Sequence, residues 1–110
     1  MGQVTQIPPI LDLEANPQLV SEVADLLKAM ASESRLKMLC LLSESELSVT
    51  ALAEKTEQTA SSVSQHLSKL KSVGLVESRR VAQTIYYCAR DGIGMDLMDV
   101  LCRHFRPDAH

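Results

Sequence analysis

Apolar residues recur at helical spacing in most of the chain and change period only once. Leu19, Val20, Val23, Leu26, Leu27 and Met30 mark a first helix, started by Asn16 as N-cap and Pro17 at the first helical position. Its apolar face is wider than a small monomer readily covers. Leu36, Leu39, Cys40 and Leu42 mark a second helix, capped by Ser32 or Ser34. It is apolar almost all round, so it is expected to be the central buried helix. After a polar connection at residues 43–46, Leu47 and Val49 begin a short extended entry. Residues 50–55 then form a short third helix, and Glu57 and Gln58 lead into a fourth at residues 59–73. There Val63, Leu67, Leu70 and Val73 form one stripe between Thr59 as N-cap and Gly74 as a left-handed C-terminal cap.

Past Gly74 the period shortens. Residues 75–79 and 84–88 read as two strands joined by a tip at residues 80–83. Asp91 is the expected cap of a last helix whose first turn is weakened by Gly92 and Gly94. That helix carries Met95, Leu97, Met98, Val100, Leu101 and Phe105 and is ended by Pro107. The predicted fold is mainly α with a small β-hairpin wing. A short helix, a tight turn and a longer helix followed by a hairpin make a winged helix-turn-helix. The spare apolar area on the first and last helices predicts a homodimer built from those two elements across a two-fold axis. Residues 1–15, with Pro8 and Pro9, are expected to be a flexible arm, residues 16–106 the domain, and residues 107–110 a tail.

The outer face of the fourth helix carries Ser61, Ser62, Ser64, Gln65, Ser68 and Lys69, and no acid occurs from Thr59 to Ser72. Small hydroxyl and amide side chains let a helix lie close to base edges and phosphates, and the missing acids remove repulsion from a polyanion. The alternative is a core helix with a serine-rich surface, and the flanking elements decide for DNA. Arg79 and Arg80 on the hairpin suit a minor groove or a phosphate backbone, and Gln83 and Thr84 suit phosphate or sugar contacts.

The net charge of −3 argues against a nucleic-acid partner until its distribution is considered. Residues 1–60 hold nine acids and four bases, whereas residues 61–90 hold five bases and one acid. Local phosphate neutralisation, not the total, sets affinity for DNA. At 110 residues the chain is one domain, and 45% apolar with 3% aromatic residues favours small aliphatic helical packing. No apolar run approaches the ~18 residues that span a bilayer, and no signal peptide is recognised, so no membrane partner and a cytoplasmic location are expected. Cys40, Cys88 and Cys102 are an odd, widely spaced set without a CxxC pair, which fits neither a disulfide framework nor a zinc finger. No nucleophile–base arrangement, phosphate-cradling loop or paired carboxylates point to an enzyme, and no cofactor or metal is expected.

The chain resembles the ArsR/SmtB family of winged-helix transcriptional repressors. The matching stretches are residues 27–31, 34–36, 46–49, 64–70, 74–76 and 79–87. The resemblance implies a dimer that occupies double-stranded operator DNA and leaves when an effector binds. Metal sensors of this family often place two cysteines at the start of the third helix, where this chain has Ser48 and Thr50, hard hydroxyls that do not replace thiolates. Others use Asp and His pairs on the last helix, where it offers His104, with His110 at the end. Residues 36–42 resemble the HlyU/BigR/SqrR branch, which senses oxidants or reactive sulfur through two cysteines. One of them matches Cys40. The other is expected at Arg106, but the chain has Cys102, one helical turn or ~5.4 Å of rise earlier. The effector pair implied is Cys40 and Cys102, and the effector a small reactive sulfur species or oxidant. A metalloid held by thiolates, a small thiol enzyme and a protein-binding winged helix are the alternatives. As a plain structural reading, Cys40 and Cys102 are small hydrophobes, Cys88 is inert, and His66 is a packing or hydrogen-bonding residue.

Overall fold

The computed structural model describes Asp12 and residues 14–106. The expectations of a flexible arm and a tail fall largely, and that for His110 wholly, outside those residues. The element order is α1 (Pro17–Met30), α2 (Glu33–Glu44), β1 (Leu47–Ser48), α3 (Val49–Thr56), α4 (Ala60–Ser72), β2 (Val76–Val81), β3 (Thr84–Ala89) and α5 (Ile93–Phe105).

Side-chain oxygens start three of the helices. Ser32 Oγ accepts from the Arg35 amide at 3.3 Å, Ser48 Oγ from Ala51 at 3.2 Å, and Thr59 Oγ1 from Ser62 at 3.1 Å. Each satisfies one donor that the first helical turn leaves free. Asn16 stands at the N-cap of α1 but its side chain bonds no amide there; Pro17 sets the first turn instead. At the end of α4, Gly74 takes φ +78°, its amide donates to Lys71 O and the Leu75 amide to Leu70 O, both at 3.0 Å. This is a Schellman ending, and buried Leu70 and Leu75 supply its apolar contact. The turn between α3 and α4 closes in a similar way, with the Gln58 amide donating to Ala53 O at 3.0 Å. Here the left-handed residue is Glu57, at φ +55°.

The core is continuous. Ala29 and Met30 of α1 meet Met38, Leu39 and Leu42 of α2, Leu52 of α3, Val63, Leu67 and Leu70 of α4, then Leu75 and Val76. The strands form one antiparallel sheet ordered β1-β3-β2, with Ser48 opposite Tyr86 and Tyr86 opposite Arg79. Tyr87 packs against the core, as strand alternation predicts for one of the two tyrosines.

Three expectations need correction. First, α2 is buried on one side only: Met38, Leu39 and Leu42 are covered, but Cys40 is exposed. Apolar composition spread round a helix does not reveal which side the neighbours occupy. Second, the wing is longer than expected. Arg80 and Val81 belong to β2, and the tip is Ala82 and Gln83 alone, with Ala82 at φ +56°. Third, Asp91 does not cap α5; Gly92 occupies that position at φ +136°. Gly94 does more than weaken a turn, because it is buried where an added Cβ would collide with the side chain of Leu75. The close approach of α5 to the domain needs a residue without a side chain.

Beyond Met98 the last helix leaves its apolar side open. Val100, Leu101 and Phe105 are exposed, and with Leu27 and Ile93 they continue onto α1. Two apolar grooves run between α1 and α5, one of about 410 Å³ and one of about 330 Å³. Among the described residues no helix is long and apolar enough to cross a membrane.

Candidate nucleic-acid interface

Burial of Val63, Leu67 and Leu70 fixes the rotation of α4 about its axis. Ser61, Ser64, Gln65, Ser68 and Lys69 consequently lie in solvent on the opposite side. Ser62 differs from its neighbours. It is half-buried, and its Oγ bonds Gln58 Oε1 at 3.0 Å, so it braces the turn between α3 and α4. Lys71 Nζ donates to Ser78 Oγ at 2.8 Å and ties α4 to the wing.

On the wing, Arg80, Gln83 and Thr84 are exposed. Arg79 is also exposed, but its guanidinium is engaged: Nε donates to Glu46 Oε2 at 2.6 Å and Nη2 to Glu46 Oε1 at 2.7 Å. These two bonds hold the Glu46 carboxyl below the usual carboxylate range and raise Arg79. The sequence assigns both arginines the same DNA-contacting role; the structure separates their surroundings.

A buttress beneath α4 is not apparent from the sequence. Arg35 Nε donates to Ala29 O at 2.6 Å and Nη2 to Lys28 O at 3.4 Å, at the C-terminal end of α1. Its Nη1 lies 3.3 Å from Nδ1 of His66 on α4. A guanidinium has donors only, so in this contact Nδ1 is the acceptor. One side chain of α2 thus joins the end of α1 to the face of α4 behind its exposed serines. His66 matches the expected hydrogen-bonding role; its partner, 31 residues away, has no local signal.

Cys40 and Cys102 line one open pocket of about 340 Å³, together with Met95, Met98, Asp99 and Arg106 among others. Both thiols are free. The turn-early position of Cys102 therefore still leaves it lining the pocket that Cys40 lines, as does Arg106. Although Cys40 is exposed as a residue, the pocket wall partly desolvates its thiol, and that, then Cys102 and Glu44, raise it above its ordinary value. Cys88 stands apart on the wing, 3.8 Å from Glu77 Oε1, and burial, Glu77 and Glu46 push it up as well. Both shifts favour the protonated thiol at neutral pH.

The model of the family described as "Bacterial regulatory protein, arsR family" matches residues 32–78. The transcriptional activator HlyU of Vibrio cholerae is 52% identical over 62 residues, 56% of this chain and 57% of that relative. The chain thus spans less than two thirds of that relative's length. A structure described as reduced HlyU from that species superposes with a TM-score of 0.75 at 37% identity, covering 86% of this chain and 98% of the other. The biofilm growth-associated repressor of Agrobacterium fabrum is 34% identical over 91 residues, covering 83% of this chain and 78% of the relative. The homodimeric winged helix-turn-helix DNA-binding domain of a Mycobacterium bovis protein superposes with a TM-score of 0.72 at 32% identity. That match covers 94% of this chain and 98% of the domain. These relatives are named as regulators of transcription or DNA-binding domains, not as enzymes.

Proposed function

The chain belongs to the arsR family of bacterial regulatory proteins, and from that premise we propose that it is a homodimeric repressor that reads a palindromic operator in double-stranded DNA and releases it when Cys40 and Cys102 are oxidised. The observation that carries the DNA reading is the exposed side of α4. Ser61, Ser64, Gln65, Ser68 and Lys69 face solvent without an acid among them, next to a basic wing. Lys69 and the wing would neutralise phosphates, while Ser64 and Gln65 are short enough to reach base edges in a major groove.

Dimerisation is supported by the apolar side shared by α1 and α5, which one copy leaves in water. The Mycobacterium bovis neighbour is described as homodimeric. Two copies present two α4 helices, which suits a palindromic site.

The thiol reading rests on the pocket that Cys40 and Cys102 share, and a relative's structure is described as reduced. With a peroxide, the two thiols lose two protons and two electrons to form a disulfide, and the peroxide becomes two waters. With a disulfane, one thiolate takes a sulfur and expels hydrosulfide. The second thiolate then attacks the persulfide and expels another hydrosulfide. Either product links α2 to α5 and so links the DNA-reading body to the dimer helix.

The test is fluorescence anisotropy on a duplex from the protein's own promoter against a scrambled duplex, across salt. Preference for the promoter duplex and a steep loss of affinity with salt are expected. Equal binding of both duplexes would overturn the DNA reading. Mass spectrometry after disulfane, peroxide or arsenite treatment separates sulfur and oxidant sensing from a metalloid bound by thiolates. Normal release by Cys40→Ser protein under disulfane would overturn the thiol reading.

A further inference from the structure

We propose that the two adjacent wing arginines divide the work: Arg80 meets the duplex backbone, whereas Arg79 is a positioning residue that clasps the wing to the corner before β1 and touches no phosphate. The proposal rests on the DNA reading above and refines its site. Side chains alternate along a strand, so Val76, Ser78 and Arg80 form one row of β2 and Glu77, Arg79 and Val81 the other. The first row belongs to the α4 side: Val76 is buried in the core and Ser78 accepts from Lys71 of α4. Arg80 continues that row toward the tip. It is exposed, and among the described residues no hydrogen bond or ion pair engages its guanidinium.

Arg79 lies on the opposite row, where Glu77 approaches Cys88. Its register partner on β3 is Tyr86, and Tyr86 pairs in turn with Ser48 of β1. Glu46 is two residues before Ser48, so its carboxylate stands on the same side of the sheet. The Arg79–Glu46 clasp therefore spans the three strands over Tyr86 and closes the far side of the sheet. Two of the guanidinium's donors are already engaged in it, in the bidentate geometry that makes such pairs strong. A phosphate taking the Nε–Nη2 edge of Arg79 would have to displace that carboxylate, and one taking the remaining donors would sit beside the Glu46 charge. Arg80 carries no such cost.

The experiment is the salt dependence of promoter-duplex binding by the full chain as wild type, Arg80→Ala, Arg79→Ala, Glu46→Gln and the swap Glu46→Arg with Arg79→Glu. Removing one phosphate neutralisation reduces the slope of log affinity against log salt by roughly 0.9. Arg80→Ala is expected to reduce it by about twice that, because each subunit of a dimer gives up one phosphate. Arg79→Ala is expected to keep the wild-type slope, and Glu46→Gln to keep or steepen it, because wild-type Arg79 has no phosphate to give up. The swap rebuilds the clasp with reversed polarity and is expected to bind within about threefold of wild type at the wild-type slope.

A drop in slope for Arg79→Ala equal to that for Arg80→Ala, with the wing still folded by amide spectra, would overturn the proposal. A steeper slope in Glu46→Gln supports it, because Arg79 then gains a phosphate only once the carboxylate that holds it is gone. The Arg79→Ala result decides the matter even if the swap does not fold. Wild-type protein that binds without salt dependence overturns the DNA reading, and this refinement with it; failure on the variants alone leaves that reading standing.

Discussion

Replacing Arg35 with Met keeps the side-chain stem and removes the group that joins α1 to α4. The bond to Ala29 O that disappears is charge-assisted and 2.6 Å long. Bonds to charged groups are worth about 1.5–3 kcal/mol, and the half-buried setting of Arg35 places this one near the lower end. The cation also faces the carbonyl end of α1, worth about 0.3–1 kcal/mol. The longer contacts to Lys28 O and His66 add little, because water can replace them. The expected loss is about 2 kcal/mol, or a fall in Tm on the order of 10 °C for a domain of this size. Urea unfolding measures it, at one fixed protomer concentration because dimerisation links stability to concentration. Arg35→Lys keeps the charge but not the fork, and should fall about halfway. Operator affinity should fall in Arg35→Met even where the protein is fully folded, since α4 loses its link to the dimer helix. A loss under about 0.5 kcal/mol would show that the buttress is ornamental, and unchanged affinity would show that it does not position α4.

Three further outcomes follow from single features. Glu57→Gly relieves a left-handed residue in the turn before α4, and should raise stability by about 0.5–1 kcal/mol in urea unfolding; a loss would mean that the Glu57 side chain matters more than its backbone. Leu101→Glu puts a charge on the exposed apolar side of α5, so sedimentation should show monomers with an intact fold by circular dichroism; a persistent dimer would place the interface elsewhere. The Glu46 carboxyl is held low by its bonds to Arg79, so the stabilisation from the clasp is fully present above the ordinary carboxylate value of about 4.3. It is lost as pH falls through the lower folded value, and a carboxyl NMR titration with a midpoint at or above the ordinary value would contradict the clasp in solution.

The residues legible in advance are those whose signals are local. Thr59, the stripe of Val63, Leu67 and Leu70, and Gly74 lie within one helix and its ends, and all take the places their spacing predicts. What the sequence hides depends on residues far apart in the chain. Arg35 and His66 are 31 residues apart, and Glu46 and Arg79 are 33. Nothing near Arg79 distinguishes it from Arg80 except strand parity. Parity needs the strand boundary, and the sequence ends β2 too early, with Arg80 in the tip rather than in the strand. Gly94 reads locally as a poor helix former; only its contact with Leu75 shows why a glycine suits the position. Cys40 reads as buried because its neighbours in sequence are apolar, yet it opens on a pocket completed by α5.

The most direct test follows the backbone amides of the isotopically labelled protein while an operator duplex is added. The largest shifts should fall on Ser61, Ser64, Gln65, Ser68 and Lys69 and on the wing tip around Arg80 and Gln83, with the outer part of α5 almost still. Shifts concentrated on α1 and α5, with the exposed side of α4 silent, would contradict the account.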